Sequence, residues 1–113
     1  MASPTDVVAE VLLACPEDLL TETFEWFVAT LGFRMEQIFP ADAPRVAIIS
    51  GHGVRLRLEP TSVGVSPGGL RLVCRGDALA TYAACDGSVA PNGTRVAIAD
   101  GSGFALPDMR QVV

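Results

Sequence analysis

Hydrophobic and polar positions alternate along this chain, then recur at helical spacing, then alternate again, and that rhythm predicts its elements. In residues 7–15, VVAEVLLAC, one face carries Val7, Ala9, Val11 and Leu13 and the other Val8, Glu10 and Leu12, as in a β-branched strand. Pro16 breaks the strand, and Glu17 and Asp18 place negative charge where a helix begins. In DLLTETFEWFVATLGF, Leu20, Phe24, Phe27, Val28 and Leu31 follow the spacing i, i+4, i+7, i+8, i+11 and make one apolar stripe. Leu19 and Trp26 widen it, while Thr23, Glu25 and Thr30 lie away from it. Gly32 is placed to end the helix in the left-handed conformation.

Three strands are predicted next: FRMEQIF (33–39), RVAIIS (45–50) and VRLRLEP (54–60). ADAP separates the first two, and GHG is short enough for a tight hairpin between the others. In the third, Val54, Leu56 and Leu58 oppose Arg55, Arg57 and Glu59. TSVGVSPGG (61–69) has the composition of a linker. A strand then returns in LRLVCR (70–75), where Leu70 and Leu72 oppose Arg71 and Arg75. GDALATYAAC predicts a short, weakly amphipathic helix. Pro91-Asn92-Gly93 predicts a turn into a strand with Thr94, Val96 and Ile98 on one face and Arg95, Ala97 and Ala99 on the other. The expected fold is α+β: a complete βαβββ module over 1–60, a linker over 61–69, and a shortened β-α-β module over 70–113. Its sheet is expected to be curved and mainly antiparallel, with a helix on the convex face.

Composition narrows the function classes. A chain of 113 residues, half of them hydrophobic, suits one domain with a modest core. Its apolar runs are interrupted and fall short of the roughly 20 residues of a membrane span. The first ten residues lack the basic region of a secretory signal, so no membrane association and a cytoplasmic location are expected. A net charge of −5 without a dense Arg cluster argues against nucleic acid. The chain contains no lysine, which excludes a Schiff-base lysine and a phosphate-loop lysine. Cys15, Cys74 and Cys85 form no CxxC pair and are read as small core residues in a reducing compartment. His52, the only histidine, sits in GHG and is expected to be a solvent-exposed turn residue with no partner. No Gly-x-Ser-x-Gly elbow occurs, and the glycines of GGLRLVCRG precede a strand, not the helix a nucleotide fingerprint needs.

The segment TFEWFVATLGFRMEQIF, with Trp26-Phe27 followed by Leu31-Gly32-Phe33, resembles the helix-to-strand signature of the vicinal-oxygen-chelate superfamily. That group includes glyoxalase I, bleomycin-resistance proteins and extradiol dioxygenases. GHGVRLRLEP resembles the last hairpin of its βαβββ module, and APNGTRVAI its closing turn and strand. The likeness spans most of residues 7–60 and about half of the remaining chain. FPADAPRVAIISGHGVRLRLEP and the closing LPDMRQ also resemble the front portion of actinobacterial proteins that continue into a cupin domain. That second resemblance implies that the chain is one domain of a longer enzyme.

Metal-using members of the superfamily place one ligand on each of four strands, typically two His and two Glu. The resemblance carries these places to Glu10 or Val11, Leu56 or Arg57, Leu70 or Arg71, and Ala97, of which only Glu10 can ligate. No metal and no cofactor are therefore expected. If the helix covers Val7, Val11, Leu56, Leu58 and Leu72, alternation sends Glu10, Arg55, Arg57, Glu59, Arg71 and Arg95 to the opposite face, where the superfamily's ligands sit. Those arginines suit a carboxylate or phosphate, with Glu10 as counter-ion or base. The plainer alternative is a solvated sheet face laced by ordinary salt bridges.

Three functions stay in play. One is a metal-free domain presenting an Arg-lined concavity to a small anionic molecule or a partner domain. The second is a metal-dependent lyase or dioxygenase drawing ligands from Glu10, His52 and Glu59. The third is a structural or dimerisation module. The shortened second half implies an open sheet edge, so a homodimer or an adjacent cupin-like domain is expected to cover it.

Overall fold

The computed structural model describes residues 7–60 and 66–102. The chain ends, including LPDMRQ, and residues 61–65 of the expected linker lie outside the described residues. The elements run β1 (Glu10–Ala14), α1 (Leu20–Leu31), β2 (Arg34–Phe39), β3 (Val46–Gly51), β4 (Val54–Glu59), β5 (Gly69–Cys74), α2 (Asp77–Tyr82) and β6 (Arg95–Asp100). A 3₁₀ turn over Glu17–Leu19 leads into α1, and another over Ala83–Cys85 follows α2.

This is the expected βαβββ module followed by β-α-β. Four strands form a sheet in the order β1-β4-β3-β2, and β5 and β6 form a two-stranded sheet. The hairpin connections make β2-β3-β4 antiparallel, whereas the longer connections leave β1 parallel to β4 and β5 parallel to β6. Antiparallel pairing thus runs through β4, β3 and the edge strand β2 of the larger sheet. The β3–β4 loop is the two residues His52-Gly53, with φ of 53° and 79°, the primed turn whose twist matches the strands it joins. Gly32 ends α1 at φ 74° with its N–H on the Phe27 carbonyl, as predicted.

α1 lies on one face of the four-stranded sheet and buries Leu20, Thr23, Phe27 and Leu31 against Leu13, Ala47, Ile49, Leu56 and Leu58. Trp26 and Phe33 meet the Phe27 ring edge-on at 5.3 and 5.5 Å. The core continues into the second unit through Leu72, Cys74, Ala90 and Val96.

Two expectations about this core are corrected. The buried stripe of α1 is rotated: Thr23 is fully buried, and Val28 is 38% exposed. At 3.6 residues per turn, Leu20, Thr23, Phe27 and Leu31 fall within roughly 80° of arc, and Val28 lies about 60° beyond it. The sheet beneath α1 buries only this narrow strip. Nor does α1 cover Val7 and Val11, which are 73% and 46% exposed. The paired part of β1 begins only at Glu10, and burial on the helix face starts at Leu13.

The open edge expected of the shortened second half is also corrected at β6. Its outward backbone groups are taken by the segment 86–92. Val96 N–H donates to the Ser88 carbonyl and Gly87 N–H to the Val96 carbonyl, each at 2.9 Å. Ala90 N–H reaches the Thr94 carbonyl at 2.8 Å. Asp86 Oδ1 accepts from Ile98 N–H at 2.8 Å, and Asn92 Oδ1 from Thr94 N–H at 3.1 Å. A strap of loop stands where a further strand would pair along residues 94–98, so this part of β6 is not an open edge.

Candidate ligand-binding surfaces

Register decides which side chains share the face of the four-stranded sheet away from α1. Glu10 lies opposite Arg55, Leu12 opposite Arg57, and Ala14 opposite Glu59 across the β1–β4 pair. On β3, Ser50 and Ile48 lie opposite Arg55 and Arg57. Four of the six expected site residues therefore meet on this face.

They meet as pairs. Arg55 Nε donates to Glu10 Oε2 at 2.7 Å, and Arg57 Nε to Glu59 Oε2 at 2.9 Å, with Arg57 Nη1 also 4.0 Å from Glu10 Oε1. The Arg57 guanidinium lies over the Phe39 ring, 5.3 Å from its centroid. Each cation faces a carboxylate, so this ladder has no formal net charge. Being partly solvated, each pair adds under about 1 kcal/mol of stability. The salt-bridge alternative describes this half of the face.

Farther along, Arg34 donates to Glu36 Oε1 at 3.3 Å, and Ser50 Oγ donates to the same oxygen. A register shift between Met35 and Gln37 leaves Glu36 as the extra residue of a bulge, which turns it toward Ser50. The Ser50 hydroxyl, helped by the Arg34 and Arg55 charges, holds the Glu36 carboxyl below its ordinary pKa. Together with residues 7–9 and the β3–β4 turn, these side chains border an open groove of about 680 Å³. The sequence pattern did not single out this corner; only the bulge creates it.

Arg71 and Arg95 are placed elsewhere, on the β5–β6 sheet. Gly69 lies opposite Arg95 and Arg71 opposite Ala97, so the two arginines occupy one diagonal of a face and the two small residues the other. A recess of about 470 Å³ opens there, walled by Gly87, Ser88 and Val89 of the strap. Both arginines are exposed. Among the described residues neither has a carboxylate within salt-bridge distance, in contrast to Arg34, Arg45, Arg55 and Arg57.

His52 has partners that its sequence context hides. Its Nε2 lies 2.5 Å from the Leu31 carbonyl at the end of α1, and its ring stands edge-on to Phe33 at 5.3 Å and Tyr82 at 5.4 Å. The expectation of a turn residue without a partner is corrected, although the side chain does remain exposed. The strap and β1 are tied similarly, because Asn92 Nδ2 donates to the Ala14 carbonyl at 2.9 Å.

The cysteines carry no bridge: Cys15 and Cys74 are buried and Cys85 is partly so. Burial raises the Cys15 thiol above its ordinary pKa. Among the described residues the donors do not fit a resident metal. No group of three or more His, Cys, Asp or Glu converges among the described residues. Glu10 and Glu59 are held by arginines, and His52 is engaged at the helix end. No helix among the described residues is long and apolar enough to cross a membrane.

No family model and no curated protein matches the chain. Solved structures do. Lactoylglutathione lyase from Agrobacterium tumefaciens superposes with a TM-score of 0.60 at 14% identity, over 92% of this chain and 100% of that one. The oxidase ChaP-H2 gives 0.60 at 15% identity, over 89% of this chain and 100% of that one. TnmS3, an antibiotic-binding protein from Streptomyces sp. CB03234, gives 0.53 at 18% identity, over 86% and 98%. The architecture is that of the glyoxalase/bleomycin-resistance fold. At these identities the likeness is one of fold, and that fold serves a lyase, an oxidase and a binding protein alike.

Proposed function

We propose that this chain is a small-molecule-binding domain of glyoxalase/bleomycin-resistance fold, which holds an anionic ligand without transforming it. The observation that supports this most is the concentration of arginines on two sheet faces, where the described residues offer no group of three or more His, Cys, Asp or Glu that could hold a metal. Arginine offers flat, permanently charged donors suited to a carboxylate or phosphate. It supplies no group that titrates near neutrality. The antibiotic-binding relative in fold is compatible with such a role. The test is an NMR titration of the metal-stripped protein with a panel of small organic acids and their neutral amides. The expected result is saturable, EDTA-insensitive binding of acids over amides, with the ligand recovered unchanged. Turnover of the ligand, or activity that appears only on adding Fe, Zn, Ni or Mn, refutes the proposal in favour of the lyase or dioxygenase alternative.

A second reading, docking of a second copy or of an adjacent cupin-like domain, is favoured by one separate feature. Val11 and Leu12 on edge strand β1 are 46 and 53% exposed, and Val7 and Val8, which lead into it, 73 and 65%. Light scattering decides the self-association part: a dimer supports it, and a monomer at high micromolar concentration removes it.

A further inference from the structure

We infer that Arg71 and Arg95 are the pair that takes the ligand's oxyanion, and that the recess beside them takes a small, flat apolar body. This rests on the binding proposal above and names where, and by what chemistry, that binding occurs. Six residues were candidates on sequence grounds; the ion pairs separate them. Arg55 and Arg57 already face Glu10 and Glu59, and an incoming anion has to compete with those carboxylates. Arg71 and Arg95 face none among the described residues, so an anion there meets two uncompensated cations.

Their placement suits convergence on one group. Neighbouring strands lie about 4.8 Å apart and two residues along a strand span about 6.6 Å, so the two Cα positions are on the order of 8 Å apart. That is within reach of two guanidiniums closing on one oxyanion from opposite corners. Gly69 and Ala97 occupy the other diagonal and keep the floor between them low. The Ala97 methyl and the 57%-exposed Val89 of the strap give the recess its apolar lining. Its volume of about 470 Å³ lies in the range of small-ligand sites. Carboxylates and phosphate monoesters share the chemistry such a pair reads.

The experiment titrates the protein with 1-naphthoate, 1-naphthyl phosphate, inorganic phosphate and the neutral 1-naphthamide, following binding by NMR. Both naphthyl anions are expected to bind more tightly than the amide and than inorganic phosphate, and to weaken as salt is raised. The tighter of the two identifies the oxyanion. Arg71→Met and Arg95→Met are each expected to weaken anion binding about tenfold or more. Amide binding stays within about twofold, which also reports that the variants are folded. Arg75→Met, a change at an exposed arginine outside β5, leaves anion binding within about twofold. Loss of anion binding in Arg57→Met but not in Arg71→Met or Arg95→Met overturns the inference and leaves the binding proposal standing. No preference for the anions over the amide in the unaltered protein removes both.

Discussion

Replacing Gly32 by alanine probes the junction that joins the two units. Gly32 adopts φ 74°, where an L-residue pays roughly 1–2 kcal/mol. A Cβ built there would also lie 2.7 Å from the Tyr82 hydroxyl. The ring cannot swing away freely, because it stands edge-on to His52, whose Nε2 sits at the Leu31 carbonyl. Giving up that ring contact costs on the order of 1 kcal/mol more. Gly32→Ala is therefore expected to lose about 2–3 kcal/mol, which in a domain near this size lowers Tm by on the order of 10 °C. Gly53→Ala is the internal control, since φ there is 79° but nothing lies within 4 Å of the added carbon. It should lose only the backbone part, about 1–2 kcal/mol. Removing the hydroxyl with Tyr82→Phe should narrow the gap between the two alanine variants. Urea and thermal unfolding of these variants, alone and with Tyr82→Phe, measure all of this. If Gly32→Ala is no worse than Gly53→Ala, or if Tyr82→Phe leaves the gap unchanged, the junction does not pack as argued.

The polar contacts support two more expected outcomes. Asn92→Ala removes the donor to the Ala14 carbonyl and the acceptor for Thr94 N–H, so urea unfolding should show a loss of about 1–3 kcal/mol at unchanged slope. Asn92→Asp keeps the acceptor alone and should fall between, and a loss below about 0.5 kcal/mol for the alanine variant contradicts the strap's role as a tie. Ser50→Ala removes the main cause of the depressed Glu36 carboxyl, so its titration, followed by carboxyl NMR, should move up toward the ordinary value. A depressed carboxyl stabilises the fold above its unfolded pKa and ceases to as pH falls through its folded pKa. The acid-side decline in stability, from about pH 5 downward, should thus be shallower in Ser50→Ala. An unmoved Glu36 titration refutes the assignment.

Local sequence was enough to set the elements and their order. Period-two alternation in VRLRLEP, helical spacing from Leu20 to Leu31, and glycine at position 32 are local physics, and each appears where the pattern puts it. Alternation also sent Glu10, Arg55, Arg57 and Glu59 to one face, because a strand's side-chain period leaves no other choice once Leu56 and Leu58 are buried. What the chain could not declare is who faces whom. Pairing of Glu10 with Arg55 joins residues far apart in sequence and depends on the β1–β4 register, so only the assembled sheet shows which arginines meet carboxylates among the described residues. The same holds for His52, whose partners come from the end of α1, the residue before β2 and α2, and for the β6 edge, which the strap 86–92 lines along residues 94–98. Thr23 and Val28 exchanged places for a related reason: periodicity marks an apolar side of a helix, but the sheet beneath it selects the strip that is buried. Composition chose the fold's vocabulary, and register chose its site, because contacts between distant strands are set by tertiary packing and not by neighbours in the chain.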